Sequence, residues 1–211
     1  MEKKKYRIMA LVTALAGYAG GILSAFFASE ESRKQMEEMV SLLFSGTSDG
    51  DFLSAFCSGP LFVLAEVCAG LFLFGFVLIF PILFFKTYGL GYSAGMCYAV
   101  LGSKGILTVL FGIFPSGVLV AVLMVTAAED AFPFSLSFLK KKRTAGYLLV
   151  DGIKVGGLPE PTEAPVTEEK ASFALERYLT RGLLLVLLSC ASILADLYIS
   201  PFLLNLTAGW M

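Results

Sequence analysis

The chain contains no histidine among its 211 residues. Histidine is the commonest general base and metal ligand of proteins, and the side chain whose ordinary pKa lies nearest neutrality. The four cysteines include no Cys-x-x-Cys pair, and no glycine-rich phosphate-binding loop occurs. These absences argue against a zinc site, a disulfide framework and nucleotide-dependent chemistry. We therefore predict no catalytic residue, no cofactor and no metal, and we expect a protein that is not an enzyme.

Charged residues are also scarce, at 16% of the chain, whereas apolar residues make up 57%. Soluble domains are only about 45–50% apolar, and the mean hydropathy here is +0.79. The formal net charge of -1 gives no basic excess that would attract nucleic acid. The composition therefore predicts a protein dissolved in membrane lipid, with no nucleic-acid partner.

The apolar residues are concentrated in runs that could cross a bilayer. The five runs are residues 6–28, 60–85, 88–101, 106–128 and 178–199. The third run would measure only ~21 Å as a helix, short of the ~30 Å hydrocarbon core. It therefore forms either a thin span or a re-entrant hairpin with the fourth run. We predict an all-α, polytopic transmembrane helical bundle of about five spans, which forms a single membrane domain over residues 1–211.

Positive charge is distributed unevenly between the predicted loops. If the N-terminus is cytoplasmic and all five runs cross, thirteen of the sixteen Lys and Arg residues lie on the cytoplasmic side. The cytoplasmic set is Lys3, Lys4, Lys5, Arg7, Lys86, Lys140, Lys141, Lys142, Arg143, Lys154, Lys170, Arg177 and Arg181, and the external set is Arg33, Lys34 and Lys104. Cationic loops resist translocation during insertion. This asymmetry predicts a cytoplasmic N-terminus and an extracytoplasmic C-terminus.

Residues 29–59 form the largest predicted external segment, which carries six acidic residues against two cations. Ser32 and Gln35 have the spacing of a helix capping box. The apolar stripe of the helix that follows consists of Met36, Met39, Val40 and Leu43. This amphipathic helix either rests on the membrane or the other spans, or docks an extracytoplasmic partner.

Small residues recur every four positions in the first and third runs. They are Thr13, Gly17 and Gly21 in the first run, and Gly91 and Gly95 in the third. Such strips let the backbones of neighbouring membrane helices approach closely. The pattern predicts packing within the chain, and a homo-oligomer is the alternative.

The fourth run carries Pro115 and Gly117 near its middle. Proline removes a backbone donor and breaks or kinks a helix. Interrupted helices often line the substrate sites of transporters. These two residues therefore favour the alternative that the chain is a transporter or a permease subunit.

Three polar residues could lie at a similar depth in the membrane. Glu66 lies within the second run, Asp196 lies near the external end of the last run, and Lys104 lies in an external turn. Ionisable residues inside a membrane are costly and often functional. We predict a polar cluster of Glu66, Lys104 and Asp196, with a simple tie between two helices as the alternative role of Glu66.

Residues 140–172 are predicted to form a cytosolic connection. It begins with the basic residues 140–143, which suit anionic lipid of the inner leaflet. Residues 148–155 contain Asp151-Gly152 between apolar residues, a pattern typical of a β-hairpin. The proline-rich acidic stretch that follows predicts a flexible linker.

A series of short motifs accompanies the apolar runs. They are residues 79–86 (IFPILFFK), Gly91 with Gly95, residues 102–105 (GSKG), Phe114-Pro115, Phe134-Ser135 and residues 198–204 (YISPFLL). In order and spacing these motifs resemble the stage II sporulation protein M family of endospore-forming bacteria, over roughly residues 49–138 and 178–204. Two positions differ: Thr87 replaces a glycine of the family pattern, and Ser116-Gly117 replaces a polar amide pair.

The resemblance implies an integral protein of the bacterial cell membrane that acts in engulfment, when the mother-cell membrane migrates around the forespore. It implies a scaffold of the septal membrane that anchors and recruits the peptidoglycan-degrading stage II sporulation proteins P and D. This expectation agrees with the absence of recognisable catalytic chemistry noted above.

Overall fold

The computed structural model describes residues 2–45, 59–150 and 168–194, and within these residues every regular element is a helix. The helices are α1 (Glu2–Phe26), α2 (Glu30–Ser45), α3 (Pro60–Leu71), α4 (Gly75–Leu101), α5 (Ser103–Thr108), a π-helical turn (Val109–Ile113), α6 (Phe114–Val150) and α7 (Glu168–Leu194). The expectation of an all-α architecture is confirmed for this part of the chain.

Among the described residues, three helices are long and apolar enough to cross a membrane: Lys4–Phe26, Gly75–Leu101 and Phe114–Ser137. α3 is also apolar but measures only ~18 Å along its axis. Many large apolar side chains of these helices are exposed on the outside of the bundle, as expected where the solvent is lipid. The helical, apolar character of the chain is that of an integral membrane protein.

α1 and α4 pack side by side and run in the same direction. Just past the middle of α1, Gly17 adjoins Phe84, and at the end of the helix Phe26 meets Tyr98 edge to face, with the ring centroids 6.4 Å apart. α6 runs in the opposite direction, because Tyr6 near the start of α1 contacts Phe132 of α6, with centroids 4.9 Å apart. α1, α4 and α6 therefore form one face of the bundle.

α3 and α7 cover another side of α6. A Cβ at Gly59 would lie 3.2 Å from Val120 and 3.7 Å from Ser192, whereas Gly70 adjoins Ala131 and Tyr178. α3 therefore runs parallel to α6 and antiparallel to α7. The core between these helices includes Val63, Ile79, Leu83, Met124 and Leu185.

The turn after α3 corrects the predicted span boundaries. We expected one span over 60–85 and another over 88–101, separated at Lys86. Instead α3 ends at Leu71, and α4 continues without interruption through Pro81 and Lys86. The Nζ atom of Lys86 lies 5.4 Å from the ring centroid of Phe62, so its charge faces an aromatic side chain within the bundle.

Glycines make the two tight turns at either end of α4 possible. At the first turn Gly75 lies so close to the carbonyl of Ala69 that a Cβ there would clash with the oxygen. At the second, Gly102 has φ +60°, a region that glycine occupies without strain, and its N–H donates to Tyr98 O. α4 therefore packs back against α3 at one end, and α5 begins directly after the other.

The break predicted at Pro115 and Gly117 is a π-helical turn. Pro115 has no N–H to donate to the carbonyl of Phe111, and the turn at Val109–Ile113 precedes it. The N–H of Phe114 donates to Val109 O, the i to i−5 pattern of a π-helix. The chain thus remains helical from α5 into α6, and the helix is widened rather than interrupted.

The N-terminal cap of α2 lies three residues earlier than predicted. Ser29 accepts a hydrogen bond from the N–H of Ser32 at 3.3 Å, whereas we expected Ser32 and Gln35 to form the cap. Arg33 also donates to Phe26 O at 3.2 Å, which satisfies a free carbonyl at the end of α1. The sequence pattern at Ser32 was misleading because Ser29, a stronger cap position after the two-residue turn, precedes Glu30 and Glu31.

The first strand of the predicted hairpin is helical. Residues 148–150 are the last turn of α6. The rest of the hairpin and the linker up to residue 167 lie outside the described residues. The basic residues 140–143 likewise belong to α6 rather than to a loop.

Candidate functional site

Glu66 is a completely buried carboxylic acid on α3, with 0% of its surface exposed. Neither carboxyl oxygen has a hydrogen-bond partner among the residues that the structure describes. α3 presents its buried face to α4, α6 and α7, between which Glu66 is enclosed. A buried polar group without a partner costs about 1–3 kcal/mol or more. Its retention at such a cost makes Glu66 the leading candidate for a functional group.

Tyr178 of α7 fixes the backbone of α3 next to Glu66. Its hydroxyl donates to the carbonyl oxygen of Val67 at 2.7 Å, and the tyrosine is buried. The ring stacks on Phe134 of α6 with centroids 4.3 Å apart and planes 2° from parallel. Gly70 provides the space, since a Cβ there would collide with the tyrosine hydroxyl. The hydroxyl is therefore committed to the backbone of α3 rather than to Glu66.

Ser135 of α6 closes the turn between α3 and α4. Its hydroxyl donates to Phe72 O at 2.7 Å and accepts a hydrogen bond from the N–H of Phe76 at 3.0 Å. Ser135 is fully buried. Phe72 O also accepts a hydrogen bond from the N–H of Gly75 at 3.0 Å, so Ser135 adds a second bond to this carbonyl. Ser135 also gives the N–H of Phe76 a partner at the helix break, where no water would be present to do so.

Two ion pairs attach α1 and α7 to adjacent carboxylates of α6. Arg181 lies 3.3 Å from Asp130, and the Nε atom of Arg7 lies 4.0 Å from Glu129. Both arginines are exposed, so each pair contributes at most about 1 kcal/mol of stability. The two ion pairs serve mainly to align α1, α6 and α7 with one another, at the same level as the turn after α3.

The predicted polar cluster is described only in part. Lys104 is exposed at the second residue of α5 and is not a hydrogen-bond partner of Glu66. Asp196 lies outside the described residues. Ser189 and Ser192, on the same face of the last run as Asp196, are buried and donate to the carbonyls of Val186 and Ser189. The cluster as a whole stays a prediction.

The two strips of small residues face each other between α1 and α4. A Cβ at Gly91 would collide with the carbonyl oxygen of Tyr18, and one at Gly95 would lie 2.7 Å from the Cβ atom of Ala25. Gly17 adjoins Thr87, and Gly21 adjoins Tyr88 and Gly91. The glycines therefore bring two helices of the same chain into backbone contact. The hydroxyl of Thr13, the first residue of the strip in α1, donates to Met9 O within the same helix.

The predicted docking stripe lies on α2, which packs against α4. Met36 is half-buried. The side chains of Met39, Val40 and Leu43 lie outside those that the structure describes. The stripe as a partner-docking surface therefore stays a prediction.

Ser135 was singled out from the sequence only as part of the Phe134-Ser135 motif, and neither Ser135 nor Tyr178 was predicted to be a site residue. Each had a usable signal: Ser135 is a hydroxyl in an apolar stretch, and Tyr178 is a hydroxyl at the start of an apolar run. In a membrane such groups need partners, and helix breaks are where unpaired backbone groups occur. Within the described residues, no group of three or more Cys, Asp or Glu side chains could hold a metal ion.

Comparisons of the chain with models of known protein families, with curated proteins and with solved structures find no match. The functional proposals therefore depend on the geometry above and on the motifs of the sequence.

Proposed function

We propose that the chain is a non-catalytic membrane scaffold of the sporulation engulfment machinery. It anchors peptidoglycan-degrading enzymes, the stage II sporulation proteins P and D, at the septal and engulfing membrane. The order of the family-like motifs supports this proposal, from IFPILFFK at residues 79–86 to YISPFLL at residues 198–204. A scaffold requires a stable membrane anchor and a positioned external surface, and no reacting group.

The observation that best supports the proposal is the rigid attachment of α2 to α1. Only a short turn separates the two helices; Ser29 caps α2, and Arg33 donates a hydrogen bond to Phe26 O, the carbonyl of the last residue of α1. Glu30, Glu31, Glu37 and Glu38 are exposed on α2. Phe26 marks the end of the apolar part of α1, so this acidic helix is held at the membrane surface, in position to bind a partner.

We propose five crossings, by α1, a segment containing α3, α4, α5 with α6, and α7. The alternating directions of the packed helices fit this order, with a cytoplasmic N-terminus and an extracytoplasmic C-terminus. The inner turn then lies at residues 72–74, and Lys86 moves from a loop into a helix. Without Lys86, twelve Lys and Arg residues lie on the proposed cytoplasmic side and three lie on the external side. The charge asymmetry that orients membrane helices is preserved.

Engulfment itself provides the test. In a spore-forming host that lacks its own scaffold of this kind, we expect the chain to restore migration of the mother-cell membrane around the forespore, followed by membrane-dye microscopy. A chain that reaches the septal membrane but leaves engulfment arrested would contradict the proposal.

A transporter or permease subunit is the second candidate, and Glu66 is the observation that favours it. A buried intramembrane carboxyl that has no hydrogen-bond partner among the described residues is typical of proton- or ion-coupled carriers. In vesicles loaded with a pH-sensitive dye, a carrier would give a proton flux that Glu66→Gln abolishes. Equal dye signals from wild type and Glu66→Gln would remove this candidate.

A further inference from the structure

An apolar cavity of about 380 Å³ lies between α1, α4 and the helix formed by the π turn and α6. Ala14, Leu90, Gly117 and Ala121 line its interior. A second cavity of about 330 Å³ continues from it toward Phe26 and shares Tyr18, Ala94, Val109 and Phe114. Together they form a groove along one face of the bundle.

The groove is open to the outside of the bundle at the depth of the membrane. Leu15 and Val122, which line it, are 67% and 58% exposed. The surrounding helices α1, α4 and α6 are the three that are long and apolar enough to span. What enters the groove therefore comes from the hydrocarbon region, not from water.

The polar end of the first cavity is defined by Arg7. Arg7 is 65% exposed, and Lys4 and Lys5 are exposed on the preceding turn of α1. The contact of Arg7 with Glu129 is long, at 4.0 Å through Nε, and a guanidinium carries five N–H donors. A basic group therefore stands at the mouth of an otherwise apolar cavity, which is the charge pattern that fits an anionic head with an apolar tail.

The length of the cavity fits one leaflet. From Arg7 to Tyr18 α1 rises ~16 Å, and half of the hydrocarbon core is ~15 Å. An acyl chain anchored by its phosphate at Arg7 would therefore reach the bilayer midplane at Tyr18, where the two cavities join.

We propose that this groove is a binding site for an anionic glycerophospholipid, whose phosphate pairs with Arg7 and whose acyl chain lies along Ala14 and Ala121. The site is independent of the scaffold role and of Glu66. The bound lipid fills the space that the π turn and the small residues leave between α1 and α6.

The test measures the phosphatidylglycerol retained by the purified full-length chain after exchange from vesicles of phosphatidylglycerol and phosphatidylcholine, by native mass spectrometry. We expect the wild type to retain phosphatidylglycerol in preference to phosphatidylcholine. Arg7→Gln should retain about fivefold less, the effect of one cation near an anionic lipid surface. Glu129→Gln removes the same ion pair but keeps Arg7, so it should retain lipid like the wild type.

A second pair of variants tests the apolar part of the site. Ala14→Leu fills the cavity, whereas Ala16→Leu, two residues away, adds the same atoms on an exposed position that does not line it. We expect lipid loss only in Ala14→Leu, with Ala121→Leu as the replacement if Ala14→Leu does not fold. The proposal would be overturned if Arg7→Gln, Ala14→Leu and Ala121→Leu all retained as much phosphatidylglycerol as the wild type. So would a wild type without lipid, whether its mass is that of a monomer or of a dimer.

Discussion

At the scale of single residues, Glu66 is the most unusual side chain of the bundle. It is fully buried, and neither of its oxygens has a partner among the described residues. The hydroxyl of Tyr178, which bonds the next residue of α3, is committed to the backbone carbonyl of Val67. The sequence alone identified Glu66 as a candidate, because an acid inside an apolar run stands out. Its partners could not be predicted, since they depend on which helices pack together.

Replacing Glu66 with methionine should stabilise the protein. The substitution removes an unsatisfied buried polar group and keeps a similar volume, so we expect the free energy of unfolding to rise by about 1–3 kcal/mol. Reversible unfolding in mixed micelles would measure this change. Glu66→Gln, which keeps polar atoms of the same shape, serves as the control. A destabilised Glu66→Met would mean that the carboxyl has a partner beyond the described residues.

Ser135→Ala should destabilise the protein because the N–H of Phe76 loses its partner and Phe72 O loses one of its two hydrogen bonds at the α3–α4 turn. We expect a loss of about 1–3 kcal/mol in the free energy of unfolding. Ser137→Ala is the matched control, since Ser137 is exposed and bonds only to Phe134 O within its own helix. The same unfolding experiment compares the two variants. Equal stabilities would show that the turn does not depend on Ser135.

At the scale of helices, hydropathy predicted the approximate positions of the apolar segments but placed one turn wrongly. Lys86 looked like the end of a span because charged residues usually lie outside the hydrocarbon core of the bilayer. Phe72 and Phe74, by contrast, looked like residues in the interior of a span. The turn at 72–74 depends instead on the close approach of Gly75 to Ala69 and on Ser135, which is 59 residues or more away in sequence. Contacts between distant residues of this kind have no signature in local hydropathy.

The contact between α1 and α4 should depend on the absence of a side chain at Gly91. Gly91→Ala places a Cβ against the backbone of Tyr18, so we expect a loss of about 1–3 kcal/mol in the free energy of unfolding. Gly89→Ala, in the same helix, meets no atom within 4 Å. It should be neutral or more stable by up to about 1 kcal/mol, the helix propensity difference.

The same pair of variants distinguishes packing within the chain from oligomerisation. The oligomeric state in detergent, measured by light scattering, should be equal for Gly91→Ala and Gly89→Ala. If Gly91→Ala changed the oligomeric state and left unfolding unaffected, the glycine strip would serve contacts between chains instead.

At the scale of the whole molecule, the proposed topology of five crossings with a cytoplasmic N-terminus predicts which positions are reached from each side. In a chain whose native cysteines are replaced, Phe74→Cys should react with a membrane-impermeant thiol reagent only from the cytoplasmic side. Lys104→Cys should react only from outside, and Lys86→Cys from neither. The span boundaries drawn from hydropathy predict the opposite for Phe74 and Lys86. Labelling of Lys86→Cys from the cytoplasm, with Phe74→Cys protected, would contradict the turn at 72–74.

The proposed scaffold role makes residues 29–59 the part of the molecule on which function would depend. In the proposed topology α2 lies at the outer membrane surface, and residues 29–59 carry six acids against two cations. A scrambled sequence over 29–59 should therefore remove partner binding while the bundle remains inserted. Scrambling residues 156–167 is the control, because it disturbs another acidic segment, with Glu160 and Glu163, on what we propose to be the opposite side of the membrane.

The most direct measurement is a mild-detergent pull-down of the tagged chain from sporulating cells, in the wild-type, external-scramble and cytosolic-scramble forms. We predict that the wild type and the cytosolic scramble capture stage II sporulation proteins P and D, and that the external scramble captures neither. Capture of an ATPase in place of the two cell-wall enzymes, or their capture by all three forms alike, would contradict the account.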